Sequence, residues 1–218
     1  MSAAGLIGPG PLLLDFDGPI CSIFAGYPAS RVAQELVQVV RSLGITVPDS
    51  VASERDPLEV LRWSGSHAPT AVKQVDDALC AAELRAVELA APTPYGHEVI
   101  VAAHRTGVQV AVVSNNSAAA VAAYLAMQQL SECVTPIVGR PYADPAAMKP
   151  HPGPILVAAR SLGVTPRECV LVGDSLTDIE SARAAGARVI GYANRPWKVT
   201  AFVAADAVIT SMQDVLLT

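Results

Sequence analysis

Acidic residues that directly follow apolar segments are the first sign of chemistry in this sequence. The run LLLDFDGPI, residues 12–20, passes from three leucines into Asp15 and Asp17. A second apolar run, ECVLVGDSLTD, ends at Asp174 and continues to Asp178. Two carboxylates about 4 Å apart repel each other by roughly 1 to 4 kcal/mol at surface-like dielectric constants, so a cluster of four needs a cation. Hard oxygen ligands without histidine or cysteine favour Mg²⁺ over zinc.

Two kinds of segment alternate along most of the chain and would position these aspartates. Short, apolar, β-rich runs are typical of strands covered on both faces, and there are four: PLLLD, VQVAVVSN, ECVLVGD and RVIGYAN. The stretches between them predict helices that end at Gly107, Gly163 and Gly186. This alternation predicts an α/β fold with a Rossmann-like parallel sheet.

The segment 21–92 breaks the alternation, because it contains no convincing strand. Apolar residues at helical spacing predict helices over 32–43 and 72–89. Another helix is predicted to begin after Asp56 as N-cap, with Glu59 as the acid of a capping box. We therefore expect a small all-helical cap domain at 21–92, inserted into a core formed by 1–20 and 93–218.

Polar residues also follow a third predicted core strand. In the run VAVVSNNS, the apolar residues are followed by Ser114, Asn115 and Asn116. Lys149, in MKPHP, supplies a positive charge just before a helix. The C-terminal ends of parallel strands meet at one edge of a sheet, where ligands bind. There, one aspartate could attack a bound phosphoryl group and the other could serve as general acid and base, while Ser114 and Lys149 bind the phosphoryl oxygens. Ser114 could instead cap the next helix, and Asp178 could act only at a helix N-terminus.

The bulk composition limits the classes of binding partner and the cellular location that we expect. A hydrophobic fraction of 51% with 16% charged residues is typical of a folded globular chain. The formal net charge of -5 disfavours nucleic acid or an anionic membrane as partner. The four cysteines form no zinc-like pairs, and no basic leader or apolar run of membrane-spanning length occurs. We expect a cytoplasmic protein; its oligomeric state is not predicted.

These residues together resemble the haloacid dehalogenase-like hydrolase superfamily, in its phosphatase branch with a helical cap after the first strand (phosphoglycolate phosphatase-like). The resemblance is carried, in order, by four motifs: Asp15-Phe16-Asp17-Gly18, Ser114, Lys149 and Gly173-Asp174-Ser175-Leu176-Thr177-Asp178. It implies a Mg²⁺-dependent phosphatase that acts on a small phosphate monoester, such as a sugar phosphate or a phosphoglycolate-like metabolite.

The resemblance also implies roles for individual residues. Asp15 would form an aspartyl-phosphate and Asp17 would be the acid and base. The phosphoryl group would be bound by Ser114, Asn115 and Lys149. Mg²⁺ would be held by Asp15, the backbone carbonyl of Asp17, Asp174 and, directly or through water, Asp178.

Other functions remain open on the same residues. A phosphomutase or phosphonatase would share the scaffold, and a phosphonatase would need a cap lysine, of which Lys73 is the only one. A non-catalytic phospho-acceptor of the receiver type would also use a strand-end aspartate. The helical insert and Asp17 argue against that type, because a receiver needs neither a cap nor an acid for a leaving group.

Overall fold

The structure is a computed structural model that describes residues 3–8 and 10–216. Its strands are β1 (Leu12–Leu14), β2 (Cys21–Ser22), β3 (Ala91–Pro92), β4 (Val110–Val113), β5 (Ile137–Val138), β6 (Val170–Gly173), β7 (Arg188–Tyr192) and β8 (Ala207–Ile209). Its α-helices are α1 (Ala3–Ile7), α2 (Ala29–Ser42), α3 (Asp49–Ala52), α4 (Pro57–His67), α5 (Val72–Val87), α6 (Gly96–Arg105), α7 (Ala118–Met127), α8 (Gly153–Leu162), α9 (Leu176–Ala185) and α10 (Pro196–Ala201).

Six strands form one sheet in the order β5-β4-β1-β6-β7-β8, and every pairing is parallel. The prediction of a parallel α/β sheet is therefore confirmed. The central strand β1 pairs with β4 on one side and β6 on the other, with Leu13 opposite both Ala111 and Leu171. This order brings together the ends of the three strands that carry polar residues.

Both faces of the sheet are buried, because successive strand residues point to opposite sides. Leu12 and Leu14 pack into one apolar cluster with residues of α6 and α7. Leu13, between them, packs into a second cluster with residues of α8 and α9. The uninterrupted apolar strands of the sequence reflect this two-sided burial.

The segment 21–92 carries the helices α2 to α5 and has its own apolar cluster, which includes Leu36, Leu61 and Leu79. The prediction that it lacks strands is wrong at its two ends, where β2 and β3 pair antiparallel. That pairing is only two residues long and depends on where the chain leaves and re-enters the sheet. No periodicity in the sequence could show it.

The helix-start prediction at Asp56 is half right. Asp56 Oδ1 accepts the Leu58 N–H at 2.8 Å, as an N-cap should. Glu59, however, pairs with Arg62 at 3.1 Å, and the Asp56 N–H donates to Glu54 Oε1 at 3.0 Å. The capping-box assignment is therefore wrong, because a preceding acid already satisfies that donor.

Within residues 3–8 and 10–216, no helix has the length and apolar character to cross a membrane.

Candidate active site

Asp15 lies at the centre of the candidate site, immediately after β1. Because β4 and β6 flank β1, Ser114 and Asp174 follow their strands at the same edge of the sheet. A cavity of about 540 Å³ opens there. Six of the predicted residues line it: Asp15, Asp17, Ser114, Asn115, Lys149 and Asp174. The seventh, Asp178, is fully buried behind them.

Lys149 is the cation that pairs with Asp15, although its side chain is only 1% exposed. Its Nζ lies 3.0 Å from Asp15 Oδ1 and donates to the Val113 carbonyl at 2.8 Å. It also forms a short ion pair with Asp178 Oδ1. A buried ammonium is stable only when it is paired in this way. Lys149 therefore joins the ends of β1 and β4 to the first turn of α9.

Three carboxylates converge closely enough to share a cation. Oxygens of Asp15, Asp174 and Asp178 all lie within 4.8 Å of one another. Gly18 makes this approach feasible, since a Cβ there would lie 2.4 Å from Asp174 Cγ. The set contains only hard oxygen donors, so it fits Mg²⁺. The Asp17 carboxylate is not part of this cluster, and its Oδ1 accepts the Ile23 N–H at 3.0 Å.

Ser114 and Asn115 form the turn after β4. Ser114 does not cap α7, since Ser117 does so by accepting the Ala120 N–H. The Asn115 amide instead brackets the backbone of Lys149: its Nδ2 donates to the Lys149 carbonyl at 3.1 Å, and its Oδ1 accepts the Lys149 N–H at 2.9 Å. The side chain of Asn115 thus orients the lysine loop.

Asp178 acts at the helix N-terminus and also pairs with a side chain of the site. Its Oδ2 accepts the Ser175 N–H at 3.1 Å, and the Ser175 side chain accepts the Asp178 N–H, which completes a capping box at the start of α9. Its other oxygen pairs with Lys149. Gly173 permits this packing, because a Cβ there would lie 2.4 Å from Asp178 Cγ.

Burial dominates the protonation of the two motif aspartates. Loss of solvent, reinforced by the charge of Asp178, raises the pKa of Asp15 to about 7, against the attraction of Lys149. Loss of solvent also raises the pKa of Asp17 to about 7, opposed by the Ile23 N–H. For Lys149, burial alone would lower the pKa, but Asp15 and Asp178 hold the pKa above its ordinary value.

The raised pKa of Asp17 predicts a pH-dependent stability of the metal-free protein. Between the ordinary pKa of 3.8 and the folded value of about 7, the folded state binds the proton more tightly than the unfolded chain. This group should therefore lower the free energy of unfolding as pH rises from 4 to 7, by roughly 4 kcal/mol at most. Urea unfolding in EDTA, compared between the wild type and Asp17→Asn, measures it. Parallel pH profiles of the two proteins would contradict this assignment.

Sequence reasoning missed a second lysine at the site. Lys198, on α10, lies 2.6 Å from Asp174 Oδ2 through its Nζ, and Asn194 Nδ2 donates to the same oxygen at 2.9 Å. Both side chains of the ion pair are largely buried, at 12% and 17% exposure. The only sequence signal is a lysine shortly after the strand RVIGYAN, which is too common a pattern to indicate a function.

Lys198 should compete with a divalent cation for Asp174. A hydrogen bond to a charged group contributes about 1.5 to 3 kcal/mol, and 1.4 kcal/mol corresponds to tenfold in affinity. We therefore expect Lys198→Met to bind Mg²⁺ roughly tenfold more tightly in a calorimetric titration. Lys73→Met, at an exposed lysine on α5, is the matched control. Unchanged or weaker Mg²⁺ binding by Lys198→Met would show that the contact does not oppose the metal.

Comparison of the sequence with known proteins identifies the family. The sequence profile of the haloacid dehalogenase-like hydrolases matches residues 12–186. The phosphoglycolate phosphatase of Salmonella typhi is 32% identical over 125 residues, which are 56% of this chain and 49% of that protein. The phosphoglycolate phosphatase of Xylella fastidiosa (strain 9a5c) is 50% identical over 56 residues, 26% of this chain and 23% of that protein. The chain thus matches about half the length, or less, of these curated relatives.

Solved structures agree in fold. A hydrolase from Pseudomonas syringae superposes with a TM-score of 0.69 at 17% identity, covering 95% of this chain and 96% of that one. CbbY from Rhodobacter sphaeroides, solved in complex with phosphate, gives a TM-score of 0.64 at 20% identity, covering 93% and 94%. At such identities the likeness establishes the fold alone. With the profile match over most of the chain, it follows that this protein belongs to the haloacid dehalogenase-like hydrolases.

Proposed function

We propose that the protein is a Mg²⁺-dependent phosphatase that hydrolyses a small phosphate monoester through an aspartyl-phosphate on Asp15. The observation that carries this proposal is the position of Asp15. It ends the central strand, pairs with the buried Lys149 at 3.0 Å and faces a cavity of about 540 Å³. A carboxylate held beside a cation and open to a cavity is suited to nucleophilic attack on phosphorus.

In the first step, an Asp15 carboxylate oxygen attacks phosphorus and the bond to the ester oxygen breaks. Asp17 gives its proton to the leaving oxygen, so the products are an alcohol and a phosphorylated Asp15. The raised pKa of Asp17, about 7, keeps a protonated fraction available near neutral pH. Ser114, Lys149 and backbone amides bind the phosphoryl oxygens as charge redistributes.

In the second step, a water molecule attacks the phosphorus of the phosphorylated Asp15. Asp17, now ionised, accepts a proton from this water, and the bond between phosphorus and the Asp15 oxygen breaks. Inorganic phosphate leaves, and both aspartates return to their starting states. Asp15 and Asp17 thus perform complementary work, because one is bonded to phosphorus while the other carries the proton.

Asp15, Asp174 and Asp178, with the backbone carbonyl of Asp17, would hold Mg²⁺. When bound, the ion supplies positive charge that neutralises the clustered carboxylates and the phosphate. Lys149 and Lys198 already supply part of that charge to Asp15, Asp178 and Asp174.

We further propose that residues 21–92 act as a cap over a core of residues 1–20 and 93–218. The segment 21–92 contributes Phe24, Arg55, Glu59 and Arg62 to the wall of the cavity that Asp15 also lines. A wall that carries both charges favours a small, polar ester such as a sugar phosphate or a phosphoglycolate-like metabolite. The relatives called phosphoglycolate phosphatase support the same class of substrate.

The proposal is tested by measuring phosphate release from a panel of phosphomonoesters, with Mg²⁺ and with EDTA. We expect Mg²⁺-dependent release and one clearly preferred substrate. Folded protein that releases no phosphate from any ester would refute the proposal. The same assay separates a phosphomutase, which would return the phosphoryl group to a hydroxyl of the substrate without releasing inorganic phosphate.

The alternatives find less support in the geometry. A phosphonatase would need Lys73 near the nucleophile, but Lys73 is exposed and is not among the residues that line the cavity. A receiver-type phospho-acceptor would have no use for a covered cavity or for a proton donor at Asp17.

Asp17→Asn should separate the acid role from the nucleophilic role. The amide preserves the shape but cannot protonate the leaving oxygen, so kcat for glycerol phosphate should fall by about 10² to 10⁴. The loss should be much smaller for p-nitrophenyl phosphate, whose leaving group needs little protonation. Steady-state rates for the two substrates measure this difference. Equal losses would show that Asp17 is not the acid.

A further inference from the structure

A buried ionic cluster, outside the residues assigned above, connects the proposed cap to the phosphoryl-binding loops. We call it the Arg140 joint; it consists of Arg140, Asp76 and Glu83. Arg140 follows β5, whereas the two acids lie on α5, seven residues and so about two helical turns apart. The three side chains are 1%, 3% and 0% exposed. Such complete burial of three charges demands precise pairing.

The guanidinium of Arg140 holds both acids and one of the loops. Its Nε donates to Asp76 Oδ1 at 2.8 Å, and its Nη1 donates to Glu83 Oε1 at 2.9 Å. The same Nη1 donates to the carbonyl of Asn115 at 2.9 Å, in the turn that carries Ser114. Arg140 is therefore bonded at once to the cap helix and to the turn after β4.

The two carboxylates also contact the turn that carries Ser114 and the loop that leads to Lys149. Glu83 Oε1 accepts from Asn116 Nδ2 at 3.1 Å, and Glu83 Oε2 accepts the Ser117 N–H at 2.9 Å. Asp76 Oδ2 accepts the Ala143 N–H at 2.6 Å, in the loop that leads to Lys149. Each carboxylate thus uses one oxygen for Arg140 and the other for a backbone N–H of the core.

The loop that leads to Lys149 is embedded in the proposed cap by other contacts as well. Met148 is fully buried in the apolar cluster of the cap helices. Arg62 Nη2 donates to the Lys149 carbonyl at 2.7 Å. A Cβ on Gly65 would lie 2.4 Å from Pro145 Cγ, so α4 packs directly on this loop. The cap and the lysine loop form one packed unit.

We propose that the Arg140 joint is a positioning device for phosphoryl binding, through which α5 sets the geometry of the Ser114 turn and the Lys149 loop. This inference rests on the proposed phosphatase function. It predicts that a cap residue affects the phosphoryl chemistry itself, even for a ligand too small to contact the cavity wall. A cap that only selected substrates would leave such a ligand unaffected.

Glu83→Gln is the sharpest test, because it keeps the shape of the side chain but replaces one acceptor oxygen with an NH₂ group. The remaining oxygen cannot serve both the donors that now bond to Oε1 and the Ser117 N–H that bonds to Oε2. With Mg²⁺ present, we expect about tenfold weaker calorimetric binding of inorganic phosphate, and a similar loss of kcat/KM for acetyl phosphate. Amide hydrogen exchange should accelerate at residues 114–117 and remain unchanged in β6. Loss of stability alone would not produce this localised pattern in the folded fraction.

Glu35→Gln is the matched control, since Glu35 also pairs with an arginine, Arg85, but does so at the surface of the helical segment. It should leave phosphate binding and exchange at residues 114–117 unchanged. Should Glu83→Gln fail to fold, Asn116→Ala removes the contact between Asn116 Nδ2 and Glu83 Oε1 and keeps the Arg140–Glu83 pair. Weaker phosphate binding and faster exchange at residues 114–117 are then expected in this variant.

The outcomes separate this inference from the proposed function. Wild-type phosphate affinity and wild-type exchange at residues 114–117 in the folded variant would overturn the role of the joint. A wild type that binds phosphate but hydrolyses no ester would refute the phosphatase proposal alone, while affinity and exchange still decide the joint. A wild type that binds no phosphate would contradict both.

Discussion

Asp15→Asn is expected to abolish phosphate release, with kcat reduced by at least about a thousandfold. An amide has nearly the size of the carboxylate but lacks the nucleophilic oxygen, so no aspartyl-phosphate can form. The measurement is release of inorganic phosphate from the best substrate of the panel. A rapid acid quench of the wild type should trap protein-bound phosphate, and the variant should trap none.

The controls for this variant concern folding and binding. Asp15→Asn should remain folded, because it removes one of three clustered carboxylates and leaves the pair of Lys149 with Asp178 intact. Its metal-free form should unfold at a higher urea concentration than the wild type at pH 8, where Asp15 with its pKa of about 7 is ionised. Turnover within tenfold of the wild type would exclude Asp15 as the nucleophile.

Lys149→Met is expected to damage both stability and activity. The substitution keeps an unbranched side chain, one atom shorter, but leaves Asp15 and Asp178 buried without their cation. Breaking a buried ion pair from one side costs about 3 to 5 kcal/mol, so the free energy of unfolding should fall by that amount in EDTA. Turnover of the remaining folded enzyme should fall by about a hundredfold or more, since a charge near the phosphoryl oxygens is lost.

A double variant tests the reason for that loss. Lys149→Met combined with Asp178→Asn removes one of the two uncompensated charges, so part of the stability should return while activity stays low. Lys73→Met, at an exposed lysine, should leave both quantities unchanged. A Lys149→Met protein as stable as the wild type would show that the buried pairing contributes little to the fold. Equal losses in the single and double variants would contradict the charge argument.

Much of the core fold could be predicted from the sequence because it depends on local patterns. Apolar runs such as LLL before Asp15 specify strands buried on both faces, and the glycines at 107, 163 and 186 all have positive φ at helix ends. The last predicted cap helix extends less far than expected. It ends at Val87, and Leu89 is 56% exposed, because the chain must turn there to reach β3.

The sequence by itself was enough to propose the chemistry of the site. Three apolar runs end in Asp15, Ser114 and Asp174, and parallel strands necessarily bring their ends to one edge. Lys149 and Asp178 were predicted as site residues from short sequence motifs. The carboxylates, the lysine and the expectation of a hard cation therefore needed no coordinates.

Only the tertiary structure decided how those residues are held. The contacts of Lys198 with Asp174 and of Arg140 with Glu83 and Asp76 join residues 24, 57 and 64 positions apart. Such pairs leave no periodic trace, since an acid on an amphipathic helix looks like a solvated residue until another element covers it. Once the acid is buried, its charge is no longer solvated and needs an ion-pair partner within the protein. The packing of elements distant in sequence determines which residue that partner is.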